Sequence, residues 1–91
     1  MATMHVEVEG RVQGVGYRWF ARESAQRKGI TGWVMNRFDG SVEVAAAGDE
    51  QDLDRFRSEL RVGPPGAMVT GIKDLPPLQE TEIGTTFVVK R

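Results

Sequence analysis

Ile30 to Asn36 (ITGWVMN) and Ser41 to Ala47 (SVEVAAA) flank the tetrapeptide Arg37-Phe38-Asp39-Gly40. Both runs are rich in β-formers, and an Asp-Gly pair between two such runs is a hairpin turn. Val42, Val44 and Ala46 then share one face, the core face. Working outward, Tyr17 to Lys28 precedes the hairpin as a helix with Phe20, Ala21, Ser24 and Ala25 along one side and Gly29 as its stop. Asp49 follows the hairpin as a capping residue. Glu50 and Asp52 favour a helix N-terminus, Leu53, Phe56 and Leu60 form one apolar stripe, and Gly63-Pro-Pro-Gly66 ends the segment. Farther out, Met4 to Glu9 alternates Val6 and Val8 with polar residues as a strand, Ala67 to Ile72 reads as another, Pro76-Pro77 as a loop, and Thr85 to Val89 as a short final strand. The order is βαββαβ plus a short C-terminal strand, a split βαβ arrangement of class α+β with two helices on one face of an antiparallel sheet. Right-handed crossovers place the first and third strands centrally and bring the loop after the first strand to a sheet end.

Ninety-one residues, 40% hydrophobic, fit one domain spanning 1–91. Zero cysteines exclude disulfides, thiolate metal sites and a thiol nucleophile. No apolar run reaches membrane-spanning length, and MATMHVEVEG lacks the charged and apolar regions of a signal peptide, so no membrane association and a cytoplasmic location are expected. A chain with one core can act as a monomer, the expected state. The net charge is −1, a poor footprint for nucleic acid. The charge is uneven, however: Gly10 to Arg37 carries six positive residues against Glu23 alone, a local field suited to a small anion.

That basic segment begins GRVQGVGYRWF, residues 10–20, a loop with three glycines that runs straight into a helix start. First-turn amides of a helix lack internal partners, glycine lets a ligand approach the backbone closely, and the dipole adds positive potential, so a phosphate is the natural guest. Arg18 stands on the first turn, where a guanidinium can grip two phosphate oxygens. Known phosphate loops fail on spacing. A Walker loop needs Gly-Lys-Ser/Thr where Gly16-Tyr17-Arg18 stands, a dinucleotide loop needs glycine where Trp19 stands, and a cysteine phosphatase needs its cysteine.

GRVQGVGYR at 10–18 and GWVMNRFDGSVEVAAAG at 32–48 match, in order and spacing, the two signatures of the acylphosphatases, and LDRFRSELRVGPPGAMV at 53–69 resembles that family's second helix and turn. The resemblance covers nearly the whole chain. It implies a ferredoxin-like fold and hydrolysis of small-molecule acyl phosphates to a carboxylate and inorganic phosphate by direct in-line attack of water, with no metal and no cofactor. It also implies that Gln13, Gly14, Val15, Gly16, Tyr17 and Arg18 form the phosphate-binding loop, that Arg18 and Asn36 are catalytic, with Asn36 holding the water, and that Ser41 supports Asn36. In some relatives a terminal carboxylate contacts the active-site Arg, which raises the same question for Arg91 and Arg18. The chemistry is compatible: the leaving carboxylate has a conjugate acid of pKa roughly 4 to 5, so no strong general acid is needed. Positioning and charge stabilisation carry most phosphoryl transfers.

Other residues have plainer readings. Trp19 and Trp33 are expected in core or rim packing, His5 on an exposed strand face, Arg37 and Asp39 as solvated turn charges with Arg37 near the substrate entrance, and Arg55, Arg57 and Arg61 on a solvated helix face. Some relatives in the family this chain resembles carry a small hydroxyl residue where Arg37 stands. Two further functions suit the same fold: an anion-binding module without catalysis, and an RNA-binding sheet. The second is disfavoured by Glu7 and Glu9 on the first strand, where stacking aromatics would be needed.

Overall fold

The computed structural model describes residues 1–91. Its elements run β1 (Ala2–Arg11), α1 (Tyr17–Arg27), β2 (Thr31–Asn36), β3 (Val42–Gly48), α2 (Glu50–Val62), β4 (Met68–Asp74), α3 (Glu80–Ile83) and β5 (Phe87–Lys90). The strands form one sheet in the order β4-β1-β3-β2-β5. Four of them pair antiparallel, with β1 and β3 internal as expected, and β5 joins β2 in parallel, so the sheet is mixed.

Alternation along the strands creates two different faces. Val6, Val8, Val34, Val42, Val44 and Ala46 point to one face and are buried beneath Ala21 and Ala25 of α1 and Leu53, Phe56 and Leu60 of α2. Phe56 meets Phe87 edge-on at a centroid separation of 5.8 Å, which draws β5 into the same core. The Tyr17 phenol, fully buried, donates to the Leu60 carbonyl at 2.6 Å and couples the start of α1 to the end of α2. Removal from water pushes its pKa well above the ordinary value, so the donor stays protonated.

On the other face, Trp33, Ala45, Ala47 and Ile83 form a second, smaller cluster. Ile83 is delivered by α3, a single turn absent from the expected elements, and Trp33 Nε1 donates to the Glu82 carbonyl at 3.0 Å. Four residues with one buried apolar side chain carry no readable helical period. Trp33 therefore packs as expected, whereas Trp19 is 62% exposed. His5 is the reverse case. Its ring is largely covered, with Nε2 2.6 Å from Glu43 and Nδ1 2.7 Å from the Pro76 carbonyl, because the chain after β4 folds back over this face. Asp49 occupies the N-cap position of α2 but makes no side-chain capping bond.

Candidate active site

β1, α1, β2 and β5 meet at one end of the sheet. The turn from β1 into α1 contains Gly14 (φ 76°) and Gly16 (φ 78°), both left-handed, and Gly16 is the N-cap of α1. A Cβ at either would meet nothing within 4 Å, so the loop's free side is open space and the glycines are required by backbone conformation alone. The backbone amides from Gln13 to Arg18 donate to no protein acceptor. The first turn of α1 contains no acidic residue and no side-chain cap, leaving the positive end of its dipole unopposed.

The loop is fixed by its one long polar side chain. Gln13 Nε2 donates to the carbonyls of Arg37 and Ser41, both at 2.8 Å, and so fastens the loop to the hairpin that carries Asn36. Asn36 is the last residue of β2, is exposed, and makes no side-chain hydrogen bond within the chain. Its carbonyl and amino groups are both free, one to accept from and the other to donate to the same small molecule.

Arg18 donates from Nη1 to the Lys90 carbonyl at 3.3 Å and has no carboxylate within ion-pairing distance. The C-terminal strand therefore steadies Arg18 through a neutral carbonyl and leaves the cation's charge uncompensated. These groups line one recess of ≈ 320 Å³, whose walls include Gly14, Gly16, Arg18, Arg22, Asn36 and Arg91 and no acidic side chain. Unpaired loop amides, the uncompensated Arg18 guanidinium and a helix N-terminus suit an anion with several oxygens.

Tyr17 borders this recess, but its hydroxyl points into the core. Ser41 does not touch the Asn36 side chain. Its Oγ lies 2.8 Å from Glu7 Oε2 and 2.6 Å from Asp39 Oδ1, while its carbonyl accepts from the Arg37 amide at 2.9 Å, so any support for Asn36 passes through the hairpin backbone. Bonds from the Ser41 hydroxyl and amide hold the Asp39 carboxyl below its ordinary range. Arg37 lies 3.8 Å from Glu7 and 3.5 Å from Glu43, a half-buried ion pair rather than a free turn charge. Two contributors were not read from the sequence. The bridging side chain of Gln13 had no sequence signal, whereas the four-residue spacing of Arg18 and Arg22 on one helix was visible in principle.

The acylphosphatase family model matches residues 4–89. An acylphosphatase from Thermotoga petrophila is 50% identical over 72 residues, covering 79% of this chain and 80% of its own. One from Methylococcus capsulatus is 46% identical over 91 residues, covering 100% of this chain and 98% of its own. The crystal structure of acylphosphatase from Bacillus subtilis superposes with a TM-score of 0.87 at 34% identity, covering 100% of both chains.

Proposed function

Because this chain belongs to the acylphosphatase family and hydrolyses acyl phosphates, we propose that its recess performs the reaction by direct attack of water on phosphorus, with Arg18, Asn36 and the amides of Gln13 to Arg18 as the machinery. The observation that carries this reading is a loop of six partnerless amides whose Gly14, Gly16 and Arg18, the last without a carboxylate partner, line a recess that also holds the free amide of Asn36. The phosphoryl group sits in the loop, its oxygens taking the amide protons and the Arg18 fork. Asn36 accepts from a water through Oδ1 and holds it in line with the bond to be broken. The new bond joins the water oxygen to phosphorus. The bond from phosphorus to the acyl oxygen breaks, and its electron pair leaves as the carboxylate. A water proton passes to a phosphoryl oxygen or to solvent, since Tyr17 is committed to Leu60 and no acidic side chain or imidazole lines the recess.

Transition-state charge is met by donors already in place, the condition under which electrostatic stabilisation is largest. Cations line the walls where a metal site would need carboxylates, so metal-independent turnover is part of this reading. No helix is long and apolar enough to cross a membrane. We take residues 1–91 as one such unit, cytoplasmic and active as a monomer, releasing inorganic phosphate and requiring no cofactor. Ser41 belongs to the scheme as an indirect support of Asn36 through the hairpin backbone.

The test is phosphate release from benzoyl phosphate and acetyl phosphate in excess EDTA by the wild type, Asn36→Ala and Arg18→Ala. Turnover by the wild type with loss in both variants is expected. Turnover that disappears with chelator and returns with a divalent cation would refute metal independence, and full activity in either variant would remove that residue from the scheme.

A further inference from the structure

Arg22 lines the same recess as Arg18, one helical turn farther along α1. Its Nε is buried without a hydrogen-bond partner, and its only carboxylate neighbour is Glu23, at 3.7 Å. A buried guanidinium N–H without an acceptor is unfavourable, and the remaining N–H groups, on a side chain that is 38% exposed, are the ones a ligand in the recess can reach. The recess thus holds a second cation whose donor is unused by the protein and is not needed for the phosphate already cradled by the loop and Arg18.

In-line displacement fixes where the rest of the substrate lies. Attacking water and leaving oxygen stand on opposite sides of phosphorus, so with water on Asn36 the acyl group leaves toward the walls that do not carry Asn36. Those walls are made by Trp19 and Arg22 of α1 and by Val89 and Arg91 at the end of β5. A wider hollow lined by Met35, Arg37 and Phe38 also borders Asn36, and the in-line requirement assigns it to the water side.

We propose that Arg22 is a specificity-determining residue that binds a second anionic group on the acyl portion of the substrate, so that acyl phosphates bearing a distal carboxylate are preferred over neutral ones. This rests on the catalytic reading above. Trp19, exposed on the same wall, supplies an apolar side against which the intervening methylenes can lie.

The experiment compares kcat/KM for butanedioyl monophosphate, which carries a free carboxylate, with that for butanoyl phosphate, which has the same chain length and no second charge, in wild type, Arg22→Gln and Arg22→Lys. A charge-assisted bond of this kind should favour the carboxylate-bearing substrate by roughly tenfold in the wild type. The ratio should fall toward one in Arg22→Gln and be partly kept in Arg22→Lys. Because the readout is a ratio within each variant, a change in folded fraction cancels. A wild-type ratio near one, or the same ratio in Arg22→Gln, would overturn the subsite while leaving the activity standing. Hydrolysis of neither compound by the wild type would overturn the catalytic reading and the subsite with it.

Discussion

Gln13 donates its side-chain amide to the Arg37 carbonyl at 2.8 Å, and the same nitrogen donates to Ser41 at 2.8 Å, so both of its protons are spent on the hairpin. The loop proposed to cradle the phosphate and the strand end that presents Asn36 are therefore braced against one another by one side chain. Two groups that must act on opposite sides of the same reacting bond gain from such a brace, because small misplacements reduce rate steeply.

Gln13→Leu tests the brace. The Arg37 carbonyl retains a bond from the Gly40 amide and the Ser41 carbonyl one from the Arg37 amide, so the variant should stay folded, with a loss of about 1 to 2 kcal/mol. Turnover should fall by roughly tenfold while KM changes little. Unaltered kcat in a variant of normal urea midpoint would show that the loop and hairpin hold their positions without it.

Asn36→Ala should lower kcat by roughly 100-fold or more with KM nearly constant, since in the proposed scheme Asn36 acts on the water and not on the bound phosphate. Asn36 is exposed and bonds through its backbone alone, so thermal stability should change by less than about 0.5 kcal/mol. Steady-state kinetics beside a melting curve separate the two effects; a raised KM at unchanged kcat would reassign Asn36 to substrate binding.

Arg18→Lys keeps a charge but removes the planar fork, and the shorter-reaching ammonium cannot both meet the Lys90 carbonyl and grip two phosphate oxygens. KM should rise and kcat fall together, because in the proposed scheme the cation meets the phosphoryl group before and during bond breaking. Competitive inhibition by inorganic phosphate gives an independent reading, and its Ki should rise in parallel with KM. An unchanged Ki would mean that the amides alone bind the anion.

Much of this arrangement was legible in the chain. Period-two alternation marked β1 and the hairpin, and Asp39-Gly40 and Gly63-Pro64 marked the turns, because these signals are local and each element buries a regular face. The loop glycines and Arg18 read as a candidate anion site from backbone chemistry, but Asn36 alone reads as a turn residue, and only the family resemblance raised it. What escaped were long-range matters. His5 is covered because Pro76, seventy-one residues away, folds back on it, β5 lies parallel because its connection passes over the far face, and α3 exists to bring Ile83 to Trp33. Ser41 faces Glu7 and Asp39 rather than Asn36, since neighbouring strands and the turn, not the chain order, decide where its hydroxyl finds acceptors.

Tyr17→Phe removes the buried bond to the Leu60 carbonyl without changing the shape of the ring. The loss should be about 1 to 2 kcal/mol, which for a domain of this size lowers Tm by roughly 4 to 15 °C. Activity at 25 °C should persist, because the phenol faces the core. A variant as stable as the wild type but inactive would place the hydroxyl in the chemistry instead.

Glu59 supplies a pH test of the helix pair. Its carboxylate accepts from Lys28 Nζ at 2.8 Å and from Ser24 Oγ at 2.5 Å, with Arg27 at 3.5 Å, and these bonds hold its pKa below the ordinary 4.5. The unfolded chain therefore binds this proton first as pH falls, so the contribution to stability is fully present above about pH 5 and is lost as pH drops through the folded-state value. Glu59→Gln lacks that proton linkage. The urea midpoint of the wild type should exceed that of the variant by a constant amount from pH 5.5 to 7.5, and the gap should close progressively as the pH is lowered below about 5. Because the carboxylate is 40% exposed, solvent screening keeps the gap modest, and raising NaCl to 1 M should narrow it at neutral pH. A gap that stays the same from pH 7 down through the acid range would mean that Glu59 stabilises the helix pair by packing and neutral hydrogen bonds, with no part played by its charge.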